Sequence, residues 1–119
     1  MGFAGAPVPP EPREFEPVPD DPISMFYGDA PRPEAEEAAK RPVPQSVKSF
    51  SDRLTKAAWH TVPSTYVICE ADQVLPAQAQ QVLAERSGAV HRIAGDHSPI
   101  MSKPAELAAL PARAALETA

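Results

Sequence analysis

The pattern of apolar and polar positions predicts regular elements most clearly in the second half of the chain. Residues 64–69 form a nearly continuous run of β-branched, aromatic and apolar side chains, typical of a strand buried on both faces of a parallel sheet. A helix is predicted at residues 76–86, a second strand at 89–94 and a last helix at 103–118, which Pro111 should kink or shorten. This alternation predicts a βαβα unit of a parallel sheet. One side of the helix predicted at residues 76–86 carries Ala79, Val82, Leu83 and Arg86.

The segment before this unit predicts two short helices separated by prolines. Residues 33–40 begin with proline and carry acidic residues in the first turn, where the positive end of a helix favours them. The Pro42-Val43-Pro44 triplet ends that helix, and a second is predicted at residues 45–54. Before both lies a short apolar patch at residues 23–27. These pieces are typical of a lid on a larger domain. One face of the helix predicted at residues 45–54 carries Val47, Phe50 and Leu54.

Proline sets the main limit on where a core can form. The chain has 119 residues and sixteen prolines, eleven of them before residue 45. Because proline lacks a backbone N–H and fixes φ, residues 1–22 are predicted to be irregular or polyproline II. The predicted organisation is a proline-rich segment at 1–22, lid-like helices at 23–56 and an α/β unit at 57–119. Two strands cannot cover both faces of such a sheet, so the unit is expected to belong to a larger fold.

Charge and cysteine content exclude several classes of function. The net charge is −5 and no run of Lys or Arg is present, so a nucleic-acid partner is not expected. No apolar stretch approaches the roughly 20 residues that span a bilayer, and no signal peptide is recognisable at the start. A cytoplasmic protein without a membrane partner is therefore expected. The single cysteine, Cys69, excludes an internal disulfide and a four-cysteine metal site, and no cofactor or metal is expected.

Two loops at the ends of the predicted strands carry the candidate chemistry. Residues 70–73 (Glu-Ala-Asp-Gln) follow the first strand, and residues 95–98 (Gly-Asp-His-Ser) follow the second. In an open α/β sheet, functional groups collect at this edge. An aspartate paired with a histidine fixes the imidazole tautomer and stabilises the imidazolium that forms when the histidine takes a proton.

The sequences around these loops resemble a known family. Residues 67–76 (Val-Ile-Cys-Glu-Ala-Asp-Gln-Val-Leu-Pro) resemble the acid-bearing strand and loop of α/β-hydrolases, closest to the subgroup of plant methyl-ester esterases, hydroxynitrile lyases and their bacterial relatives. Residues 95–104 (Gly-Asp-His-Ser-Pro-Ile-Met-Ser-Lys-Pro) resemble the histidine loop of that subgroup. The resemblance covers about residues 57–110 and implies a partial α/β-hydrolase fold. It also implies that Asp72 is the acid and His97 the base of a catalytic triad acting on a small carboxylic ester.

The resemblance does not extend to a nucleophile. In this family a serine on a G-x-S-x-G elbow precedes the acid and the histidine, and none of the eight serines here has glycine two residues away on both sides. The chain is therefore expected to represent the family from a point after the elbow, and to be inactive alone. Two alternatives remain: a fragment that completes a sheet with a separate N-terminal half or a second copy, or a non-functional remnant. The serines are Ser24, Ser46, Ser49, Ser51, Ser64, Ser87, Ser98 and Ser102.

Other polar residues are interpreted as structural. Asp96 adjoins His97, and because neighbouring side chains point apart it is expected to be an ordinary loop residue. His60 and His91 are expected to be structural or exposed. Cys69, at the end of the first strand, is expected to be an inert thiol.

Overall fold

The computed structural model describes the backbone of residues 13–118 and the side chains of residues 13–111. Before the α/β unit the elements are short, and most are helices. In chain order they are β1 (Phe15–Glu16), α1 (Pro22–Phe26), α2 (Arg32–Ala38), β2 (Gln45–Ser46), α3 (Lys48–Ser51) and a 3₁₀ helix (Ala58–His60). The two short strands pair antiparallel, with Phe15 opposite Ser46, so the proline-rich start is tied to a segment about 30 residues later in the chain. Residues 1–12 of the predicted irregular segment lie outside the described residues.

The second half contains the predicted alternation of strand and helix. Its elements are β3 (Thr65–Cys69), α4 (Ala77–Ala84), β4 (Ala89–Ile93), α5 (Pro99–Ser102) and α6 (Pro104–Thr118). The β3 and β4 strands pair in parallel from Thr65 opposite Ala89 to Cys69 opposite Ile93, which confirms the parallel sheet. The α4 crossover packs against β3 and α6 packs against β4. Both candidate loops therefore leave the sheet at the same edge.

Buried apolar side chains are few among residues 13–111. Ile68 is fully buried, and Ala35, Ala84 and Ile93 are nearly so. Many large apolar side chains are instead exposed, although burial of such groups is the main favourable term in folding. They are Phe15, Val43, Phe50, Leu54, Trp59, Val62, Val82, Val90 and Ile100.

The second predicted helix of the lid, residues 45–54, is wrong at both ends. Gln45–Ser46 is a short strand instead, because its backbone pairs with β1. The helix that follows covers only Lys48–Ser51 and ends at Asp52, whose backbone is extended. Leu54 therefore lies outside the helix and is largely exposed.

Three further elements differ from the predictions. Residues 23–26 of the apolar patch belong to α1, whose first turn is fixed by the Asp21 side chain accepting the Ser24 N–H at 3.1 Å. The last helix continues through Pro111 to Thr118, so it is not shortened there. The buried positions of α4 are Gln80 and Ala84, whereas on the side noted from the sequence Ala79 and Leu83 are half-buried and Val82 and Arg86 are exposed. Within residues 13–118 no helix combines the length and the apolar character needed to cross a bilayer.

Candidate active site

Hydrogen bonds between the two strands continue into the loops that follow them. The N–H of Glu70 donates to the carbonyl of Ile93 at 3.0 Å, and the N–H of Ala71 donates to the carbonyl of Gly95 at 2.9 Å. These bonds keep the two loops side by side beyond the ends of the regular strands. The residues that follow them, Asp72 and His97, are thereby brought together although 25 positions separate them.

The Asp72 carboxylate is held by its own loop. Its Oδ1 accepts the backbone N–H groups of Val74 at 2.7 Å and Leu75 at 2.9 Å, an arrangement that aspartate commonly forms at turns. The side chain is only 6 % exposed. The carboxylate therefore occupies one orientation, with Oδ2 turned to the histidine loop.

His97 pairs with this carboxylate through Nδ1. The Nδ1 atom lies 3.0 Å from Oδ2 and 3.2 Å from Oδ1 of Asp72. An ionised carboxylate only accepts hydrogen bonds, so the proton of the neutral imidazole is on Nδ1 and the lone pair is on Nε2. The His97 side chain is 40 % exposed, and no other side chain among residues 13–111 forms a hydrogen bond with its ring. The ring of Phe26, at the end of α1, lies against it with 5.6 Å between centroids.

A buried amide fixes the start of the acid loop. Gln80 of α4 is 2 % exposed. Its Oε1 accepts the N–H of Cys69 at 2.8 Å, and its Nε2 donates to the carbonyls of Cys69 and Leu75 at 2.9 and 2.7 Å. The Gln80 amide thus joins the last residue of β3 to the residue that closes the Asp72 turn. It lies four residues before Ala84, which is also buried, so both side chains share the face of α4 that packs on β3.

Cys69 has the character of a thiol rather than a thiolate. Burial raises the pKa of the Cys69 thiol above its ordinary value, and the carboxylates of Asp72 and Asp96 raise it further. Nucleophilic cysteines require the opposite shift, because the thiolate is the reactive form. This agrees with the interpretation of Cys69 as an inert residue.

Asp96 is more than an ordinary loop residue. It is 3 % exposed, and its carboxylate accepts hydrogen bonds from Asp29 N–H, Ser98 N–H and Ser102 Oγ. The sequence interpretation was correct that Asp96 does not pair with His97. It was wrong that the residue is unremarkable, because a burial that depends on a segment 67 residues away cannot be read from the local sequence.

An open, mostly apolar depression of about 530 Å³ lies beside the Asp72–His97 pair. Within the described residues no group of three or more His, Cys, Asp or Glu side chains is arranged to hold a metal ion. His60 is exposed and His91 is half-buried, and neither joins the pair. The depression is lined by Val67, Cys69, His97, Ser98, Pro99, Ile100, Met101 and Leu107.

Comparison with known proteins identifies the family of this chain. A family model described as the α/β hydrolase family matches residues 1–110. The chain belongs to the α/β-hydrolase family. The α/β-hydrolase nvfD of Aspergillus novofumigatus is 40% identical over 63 residues, which are 50% of this chain and 25% of that protein.

Solved structures of two esterases and a hydrolase share the fold of this α/β-hydrolase chain. A methylesterase from Arabidopsis matches 96% of the chain with a TM-score of 0.75 and 21% identity. Polyneuridine aldehyde esterase matches 78% of it with a TM-score of 0.67 and 18% identity. A pyrethroid hydrolase from Sphingobium faniae matches 89% with a TM-score of 0.64 and 22% identity. The chain spans 51%, 40% and 51% of these three proteins, and a quarter of the curated relative.

Proposed function

We propose that this chain supplies the acid and the base of a Ser–Asp–His triad that hydrolyses small carboxylic esters. The observation that carries the proposal is the bond from His97 Nδ1–H to a carboxylate that is itself held by two backbone N–H groups. Such a carboxylate cannot turn away from the imidazole without breaking its own turn. The names of the three structural relatives, each an esterase or a hydrolase, support the choice of substrate class.

In this proposal each residue has one role in acyl transfer. His97 Nε2 takes the proton of a serine hydroxyl as that oxygen attacks the ester carbonyl, and Asp72 stabilises the imidazolium that forms. His97 then gives the proton to the departing alkoxide, and the alcohol leaves. A water molecule repeats the cycle on the acyl-enzyme and releases the carboxylic acid. The neighbouring apolar depression suits the hydrocarbon part of an ester.

The serine is proposed to come from outside this sequence. No G-x-S-x-G elbow occurs in the chain, and among residues 13–111 no hydroxyl is bonded to the imidazole of His97. The chain also spans only about half of the structures that it matches. We infer that the 119 residues alone do not turn over esters.

Hydrolysis of p-nitrophenyl butyrate tests this inference. The purified 119-residue chain is expected to show only the background rate. The same chain, joined in frame to upstream coding sequence that carries a G-x-S-x-G elbow, is expected to show turnover that His97→Ala abolishes. Robust turnover by the chain alone, lost in His97→Ala, would contradict the need for an external serine. Turnover by the extended protein that survives His97→Ala would contradict the role of the base.

A second candidate function is completion of a sheet with another chain, and the free edge of β3 favours it. The bond from the Glu70 N–H to the Ile93 carbonyl shows that the backbone groups of even-numbered residues in this strand face β4. Successive residues of a strand present their backbone groups to opposite edges, so those of Thr65 and Val67 face away from β4. Within residues 13–118 no strand pairs with that edge, although the Gln80 amide binds the backbone of its last residue, Cys69. Unpaired apolar edges of this kind are templates for pairing with a further strand.

Self-association is the expected form of this second function when the chain is alone. Size-exclusion chromatography with light scattering should then give a mass of at least two chains. Replacing Val67, whose backbone groups face away from β4, by proline should reduce this mass, because proline cannot donate a hydrogen bond to a strand on that edge. A matched control is proline at exposed Val43, which lies between Pro42 and Pro44. A clean monomer that unfolds cooperatively would count against assembly.

A further inference from the structure

A buried carboxylate next to the histidine lies outside the roles assigned so far. Asp96 is almost completely enclosed, and among residues 13–111 no Lys or Arg pairs with it. Burial of an ionised group is costly unless hydrogen bonds replace the lost water. Three donors do so here, and they come from two separate parts of the chain.

One donor belongs to residues 22–30, which are called the lid segment below. The N–H of Asp29 donates to Asp96 Oδ2 at 2.8 Å. Asp29 lies in the turn that follows α1, closed by the bond from Ala30 N–H to the Tyr27 carbonyl at 3.1 Å. A methyl group added at Gly28 would lie 3.9 Å from the same carboxylate oxygen, so the turn packs directly on it.

The other two donors belong to the histidine loop. The N–H of Ser98 donates to Asp96 Oδ1 at 3.0 Å, and the hydroxyl of Ser102 donates to the same oxygen at 3.3 Å. His97 is therefore the residue between a buried carboxylate and the N–H that this carboxylate binds. The backbone on both sides of the imidazole is fixed from one point.

The lid segment also contacts the imidazole directly. Holding the Asp29 turn against Asp96 also holds the end of α1, where the Phe26 ring lies against the His97 ring. The imidazole then has the Asp72 carboxylate at Nδ1 and the tilted Phe26 ring beside it, with 5.6 Å between the ring centroids. A loosened turn would release the aromatic contact and the backbone of the histidine together.

We propose that Asp96 is a positioning residue that couples the lid segment, residues 22–30, to the histidine loop and so keeps Nδ1 of His97 on Asp72. The proposal rests on the proposed function of the Asp72–His97 pair. It assigns Asp96 no contact with substrate. It explains why a carboxylate is needed, since one side chain accepts from Asp29 and from Ser98 through different oxygens.

Asp96→Asn tests the coupling with little change of volume. Asparagine keeps one acceptor for the Ser98 N–H but presents an NH₂ group to the Asp29 N–H, donor against donor. In the 119-residue chain, the Asp29 amide is expected to exchange with solvent about tenfold faster or more, as loss of a charged hydrogen bond predicts. The ¹⁵N spectrum of the His97 ring is expected to lose its single Nδ1–H form, while β3 and β4 amides keep their protection. Asp52→Asn, at the exposed end of α3, is the matched control and should change neither signal.

Each result has a distinct meaning. An Asp96→Asn chain with unchanged Asp29 exchange and an unchanged His97 ring spectrum overturns the coupling but leaves the Asp72–His97 pair standing. A wild-type chain without the Nδ1–H form overturns the proposed function instead. If Asp96→Asn also lowers the protection of β3 and β4, Ser102→Ala becomes the test. Loss of that single hydroxyl should shift both the Asp29 and the His97 signals in the same direction by a smaller amount, and no shift would overturn the proposal.

Discussion

Asp72→Asn is expected to lower ester hydrolysis about 10⁴-fold in the protein that joins this chain to its nucleophile. The carbonyl oxygen of the new amide side chain would still accept the N–H groups of Val74 and Leu75, so the turn would survive. The NH₂ group of that amide would then face Nδ1 of His97 and donate to it. The imidazole would carry its proton on Nε2, the atom that must be free to accept the proton of the serine. Geometry would be kept while the tautomer is reversed.

The kinetic pattern separates this effect from general damage. The loss should fall on kcat with little change in KM, because the Asp72–His97 bond acts in the transition state rather than in substrate binding. Asp52→Asn makes the same chemical change at an exposed position and should leave kcat within about twofold, as surface substitutions generally do. A loss of less than about tenfold in Asp72→Asn would contradict the role of Asp72 as the acid of the triad.

Ile68→Ala is expected to destabilise the chain by about 2–5 kcal/mol, the usual range for a large apolar residue in a core. Ile68 is fully buried in β3, where α4 packs on the sheet. Ile68 is the one large side chain that is fully buried among residues 13–111, so truncating it removes a large share of the buried apolar surface. Domains of this size are marginally stable, so this loss is expected to be a large share of the free energy of unfolding.

Urea unfolding followed by circular dichroism measures this loss. Ile100→Ala is the matched control, since it makes the same change at a side chain that is 75 % exposed, and it should alter the unfolding free energy by less than about 0.5 kcal/mol. Equal effects of the two substitutions would show that Ile68 is not part of a packed core.

The α/β unit could be predicted from sequence because its signals are local. The short run ending in Val67, Ile68 and Cys69 predicts a strand. The proline before α4 and the Gly88 after it mark the limits of the crossover helix. Parallel pairing follows from the order of the elements. Once both strands end at one edge, the approach of Asp72 and His97 follows, and the 3.0 Å distance between Oδ2 of Asp72 and Nδ1 of His97 agrees with that expectation.

The parts that sequence did not predict depend on distant partners. Gln45 looks like the start of a helix until its pairing with Glu16 is known. Asp96 looks like a loop aspartate until the Asp29 turn covers it. Gln80 looks like a solvent-facing residue of an amphipathic helix, yet its amide bonds to the backbone of Cys69. In each case a contact between segments outweighed the local propensity of the residue.

The tautomer of His97 in the wild-type chain is the most direct test of the central claim, that Asp72 and His97 form a prepared acid–base pair. Long-range ¹H–¹⁵N correlation spectra of the neutral imidazole distinguish a protonated Nδ1 from a protonated Nε2 and from a rapidly exchanging mixture. The hydrogen bond to Asp72 predicts one form, with the proton on Nδ1 and Nε2 unprotonated. A dominant Nε2–H form, or the averaged signals of an unconstrained histidine, would contradict the claim.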